Sequence, residues 1–160
     1  MCRTRLLGMA ALLFLFCVSN MECTRAIVQP SSAISPVLGG TCPVSELVRA
    51  EPPLDPNSEP FGLGPWYINA DRSIWAGWDA GHWVSGPKGN KVLWIRPQGA
   101  DLLVSGHRID GGDAAPLKAE ISCCYPTGFQ PSTVYFPTAG CWEVTAKADS
   151  SELTFITEVS

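Results

Sequence analysis

"GCWEVTAKADSSELTFITEV", Gly140 to Val159, reads as two β-strands joined by a polar turn. In the first run Trp142, Val144 and Ala146 fall on one face, and Cys141, Glu143 and Thr145 fall on the other. Side chains alternate across a strand with period two, so this pattern describes a strand with one buried face. The parity turns the tryptophan inward and the neighbouring cysteine outward.

Upstream, the same kind of signal recurs. Trp66–Ile68 and Ser73–Trp78 flank an Asn69-Ala70-Asp71 turn, whose Asn and Asp side chains suit tight backbone bends. Asn90 to Pro97 is a run of β-formers ended by proline, and Leu102–Ile109 runs into a Gly111-Gly112 turn. Leu117, Ala119 and Ile121 alternate with Lys118, Glu120 and Ser122, and "TVYF" at Thr133–Phe136 precedes the closing pair. About 7–8 short strands with regular turns predict an all-β antiparallel β-sandwich, each sheet hiding one apolar face in the other. A closed barrel is the second solution.

Before these strands the text changes character. Cys42 to Gly64 holds five prolines and no periodicity, which predicts an irregular coat lying on the domain. Its one short helical candidate is Val44–Arg49. Residues 27–40 are rich in Pro, Ser and Gly and read as a flexible lead. Residues 1–26 fit a secretory signal peptide: two early arginines, then the apolar run Leu6–Val18, then Thr24 and Ala26 before the expected cut. That run is too short to span a bilayer comfortably, and no second one follows, so no transmembrane segment is expected in the mature chain. An uncleaved signal anchor and a lipid anchor at Cys23 are the rivals; Asn20-Met21-Glu22 lacks the small residues of a lipobox.

The chain carries seven cysteines, and four of them, Cys42, Cys123, Cys124 and Cys141, lie beyond the expected signal segment. An exported chain meets an oxidising compartment, so at least one disulfide is expected, with three pairings open to four cysteines. The formal charge of −4 is spread along the chain, with no basic stripe for phosphates, which excludes a nucleic acid partner.

Two resemblances bear on the fold and the bridge. "GCWEV" resembles the penultimate strand of an immunoglobulin-like (Ig-like) sandwich, where a glycine precedes an inward aromatic by two residues. Trp142 then takes the aromatic position and Val144 the place of an antibody domain's cysteine, so the inter-sheet disulfide of such domains is not implied. "CPVSE" at Cys42, "GPWYINADRSIWAG", "LLVSGHRIDGGDAAPLKAEI", "GFQPSTVYFPTAGCWEVTAKA" and "SELTFITEV" resemble a group of bacterial secreted or lipoprotein-like proteins of no established activity. That resemblance implies a Cys42–Cys141 disulfide and marks Cys123-Cys124 as a local addition. Cys124–Cys141 is the rival pairing.

The chemistry-bearing residues are few. Cys123 and Cys124 with His107 would make a soft copper or zinc site, against a vicinal disulfide as the plainer reading. Trp75, Trp78 and Trp83 would offer stacking faces to a sugar, against simple core or edge packing. Trp75 and Trp78 have opposite parity, so at most one of them faces the core. Asp110 and Asp113 flank two glycines and suit a turn, and neither His82 nor His107 sits in a nucleophile motif. The expectation is therefore an exported, non-catalytic module, secreted or at the cell surface, with no cofactor and with a protein or glycan partner. A periplasmic metal-binding protein or a carbohydrate-binding module is the alternative.

Overall fold

The computed structural model describes residues 41–53, 63–78, 80–123 and 125–160, with the side chain of Trp78 outside that set. The expected signal peptide, the lead to residue 40, Cys23 and Cys124 lie outside the described residues. Within them the chain forms nine strands, all paired antiparallel: β1 (Val48–Ala50), β2 (Gly64–Ile68), β3 (Trp75–Trp78), β4 (Asn90–Ile95), β5 (Leu102–Arg108), β6 (Lys118–Ile121), β7 (Phe129–Tyr135), β8 (Gly140–Ala148) and β9 (Ser151–Val159). They make two sheets, ordered β1-β2-β3-β4-β7-β6 and β5-β8-β9. The expected all-β class with its antiparallel, sandwich-like layering holds.

Alternation places the core between the sheets. Tyr67, Ala76, Val92, Trp94 and Val134 from the larger sheet meet Val104, Trp142, Val144, Ala146, Leu153 and Phe155 from the smaller one. Tyr67 stacks on Phe155 with ring centres 4.0 Å apart, and Phe136 meets Trp142 edge-on at 5.4 Å. Trp94 satisfies its indole N–H by donating to Ser132 Oγ at 2.7 Å, as a buried indole must.

The larger sheet is apolar on its other face as well. Trp66, Trp75, Leu93 and Ile95 form a second buried cluster there, with Ala50, Ile68 and Phe129 packed against it. Opposite parity therefore does not leave Trp75 in solvent: it is 1% exposed, its indole donates to Arg72 O, and the Arg72 guanidinium lies 4.9 Å from its ring centre.

The described part of the proline-rich segment, residues 42–53, is more ordered than its composition suggests. Val48–Ala50, expected as irregular coat or short helix, pairs as β1 with β2 at the rim of the larger sheet. The backbone N–H of Ser45 donates to Ile156 O, and Ser45 Oγ accepts from the Ile156 N–H, both at 2.8 Å. Those contacts satisfy edge groups of β9 that would otherwise template pairing with another chain. Residues 45–50 thus run from the smaller sheet's edge to the rim of the larger sheet, joining the two. At the opposite side, β5 meets β6: Gly106 O accepts from the Leu117 N–H at 3.2 Å.

Gly106 is what allows that close seam. A Cβ there would run into the Leu117 side chain and lie 2.6 Å from Glu143 O. Gly106→Ala is therefore expected to lower stability by about 1–3 kcal/mol, as overpacking against backbone does. Thermal unfolding measures it; an unchanged midpoint would contradict the seam.

Candidate functional site

Cys141 follows its parity onto the outer face of β8, yet it is buried at 3% exposure, because the coat lies over it. Its sulfur is bonded to Cys42, with the two Cα atoms 5.5 Å apart. Beside the bridge, both oxygens of Asp110 take up the Arg108 guanidinium, and Asp110 Oδ2 also accepts the Cys141 N–H at 3.0 Å. Gly140 has φ of 137° and lies against this pair; a Cβ would come within 2.8 Å of Asp110 Oδ2. Asp110, expected to serve a turn, is thus an anchor for the start of β8, while Gly111 and Gly112 make the turn with positive φ.

The Arg108 hydrogen bond, with help from the Cys141 N–H, holds the Asp110 carboxyl below the usual carboxylate range. A depressed folded-state pKa stabilises above the unfolded value, about 3.9, and that contribution disappears as pH falls through the folded value. Asp110→Asn is expected to destabilise near neutral pH and to converge on the parent chain in acid. Urea midpoints from about pH 5 down to about pH 2 measure this; parallel curves for the two chains would contradict it.

Of the residues expected to hold a metal, Cys124 lies outside the described residues, and Cys123 and His107 sit in different sheets. Cys123 is disulfide-bonded, so its sulfur is not available as a thiolate. His107 is exposed on the outer face of β5, opposite Glu143, whereas Cys123 follows β6 in the other sheet. Among the described residues no three His, Cys, Asp or Glu side chains cluster at metal-binding distance. Of the expected sugar-stacking faces, Trp75 and Trp83 are buried at 1% and 4%, and Trp83 packs on Phe136 and Phe155 in the main core. Trp78 pairs with Val92 through its backbone.

A different site lies at one end of the sandwich. Pro131 lies within β7, and its missing N–H would face Ser122 O, just past the end of β6. The side chain of Gln130 repairs the gap, donating through Nε2 to Ser122 O and to Pro131 O. Its Oε1 then accepts from Arg96 Nη2 at 3.1 Å. Arg96 follows β4; its guanidinium is also taken up by Pro97 O at 2.9 Å and Tyr125 O at 3.0 Å. This network walls an open cavity of about 460 Å³, with Leu102 and Ile121 as apolar lining and Asp101 exposed at its rim. Arg96 is 6% exposed and Gln130 3%.

Sequence reasoning missed both residues. "WIRP" ends a strand with an arginine before a proline, which reads as a solvated strand end. Its guanidinium is instead taken up by Tyr125, after β6, and by Gln130 on β7.

No family model, curated protein or solved structure matches the chain.

Proposed function

We propose that the chain is exported and works outside the cytoplasm as a non-catalytic, Ig-like binding or structural module of the cell envelope. The observation that carries this reading is the Cys42–Cys141 disulfide, which ties an N-terminal segment to the penultimate strand across 99 positions. Such bridges form and persist in oxidising compartments. Residues 1–26, read as a signal peptide, supply a route there.

The strand order supports the Ig-like part of the proposal. β3-β4-β7-β6 over β5-β8-β9 corresponds to the A-B-E-D and C-F-G sheets of an immunoglobulin constant-type domain, with β1 and β2 added at the A edge. Trp142 Nε1 donates to Thr138 O at 3.0 Å, the place where such domains carry a tyrosine corner on strand F.

The non-catalytic part rests on how the acids are used. Asp71, Asp110 and Glu120 all have lowered pKa values, and each is tied to a turn or an ion pair by local hydrogen bonds. Carboxylates held ionised by local hydrogen bonds in this way suit fastening. Fractionation of cells expressing the full chain tests the proposal. The expected product begins near Ile27 and is recovered outside the cytoplasm; an uncleaved, cytoplasmic chain would overturn export.

A further inference from the structure

We propose that the end cavity beside Arg96 binds a small carboxylate with an apolar body, and that Arg96 is its anion-binding group. The inference deepens the binding part of the function proposed above and does not depend on export.

A guanidinium carries five N–H donors and keeps its proton in proteins. Three of those donors are used, on Pro97 O, Tyr125 O and Gln130 Oε1, and all three acceptors are neutral. Nε is buried with no acceptor at all. The ion pairs among the described residues are Arg108–Asp110, Lys118–Glu120 and Lys147–Glu152, so no described carboxylate pairs with Arg96. Burying a charge without a counter-charge is costly, so a buried guanidinium on neutral acceptors beside a cavity is a place where an anion would be stabilised. Tying loop carbonyls together does not require the charge: Gln130, in the same network, bridges Ser122 O with a neutral amide. An arginine in this position supplies what an amide cannot, a full positive charge, with one Nη1 hydrogen left over while Nε is enclosed by the protein.

The cavity sets the shape of the ligand. About 460 Å³ lies within the range of small-molecule sites. Leu102 and Ile121 line it with apolar surface, which a bare inorganic oxyanion would not use but an organic acid would. Asp101 at the rim is a like charge to the ligand, weakening binding from the solvent side and disfavouring a dianion. A monocarboxylate with its charge toward Arg96 and its carbon body against Leu102 and Ile121 fits both ends.

Amide chemical-shift titrations of the oxidised chain with benzoate, acetate, benzyl alcohol and inorganic phosphate test the proposal. Benzoate is expected to give saturable shifts at Ala100, Tyr125 and Gln130, with acetate weaker and benzyl alcohol weaker by about tenfold, since the charge-assisted contact is lost. Arg96→Gln is expected to abolish the benzoate response, and Asp101→Asn to tighten it by about two- to threefold. The proposal is overturned if benzoate does not saturate at tens of millimolar, if benzyl alcohol or phosphate binds as well as benzoate, or if Arg96→Gln binds like the parent. Should Arg96→Gln fail to fold, Asp101→Asn and Asp101→Lys decide, because Asp101 is exposed; unchanged benzoate affinity in both would sink the site. A failed titration in a chain that is still exported and oxidised removes this ligand and leaves the envelope module standing.

Discussion

A chain carrying Cys42→Ser and Cys141→Ala is expected to lose about 4 kcal/mol of unfolding free energy relative to the oxidised parent. The chain-entropy account gives this size for a bridge closing a loop of 99 positions. The alanine at 141 avoids leaving an unsatisfied hydroxyl where the parent buries a sulfur. The bridge also holds the coat against β9, so its loss has a local signature. The Ile156 amide, which donates to Ser45 Oγ, is expected to exchange with solvent faster in the variant, while Val144 at the centre of β8 follows global unfolding. Urea unfolding should also steepen, because the unbridged chain exposes more surface when unfolded. Equal stability of the two chains, or an unchanged Ile156 exchange rate, would contradict the fastening role.

Trp142→Ala is expected to cost a comparable amount, about 3–5 kcal/mol, the usual range for deleting a large aromatic from a packed core. Trp142 is fully buried, meets Phe136 edge-on and closes the approach to β8 through its bond to Thr138 O. The milder Trp142→Phe separates the two contributions. It keeps most of the apolar volume and removes the indole donor, so about 1–2 kcal/mol is expected for the corner bond and the carbonyl it leaves unpaired. Equal losses for the two variants would mean that the hydrogen bond, and not the packing, dominates; no loss in Trp142→Phe would mean that the corner bond contributes nothing.

How much of this was legible beforehand depends on range. The alternation of Trp142, Val144 and Ala146 against Cys141 and Glu143 is a local signal, and the two faces of β8 follow it. The same holds for Ala119 and Ile121 on β6 and for Leu117 just before it. Parity fixes a face, but it does not say whether that face is covered. Cys141 and Trp75 both point away from the main core and are both buried, one under the coat and one in the second apolar cluster. β1 escaped notice for a related reason: three residues among prolines carry no periodicity, and they are a strand only because Trp66 and Pro65 on β2 stand opposite. At the candidate site the gap is wider. The bond between Arg96 and Gln130 spans 34 positions, and the burial of both depends on a loop whose path no spacing rule predicts.

Disulfide mapping by mass spectrometry, on non-reduced protein recovered from outside the cytoplasm, tests the central claim of an exported, bridge-fastened sandwich most directly. The expected result is a peptide pair joined through Cys42 and Cys141, with the chain beginning near Ile27. Free thiols at both positions, or Cys141 joined to Cys124 instead, would contradict it.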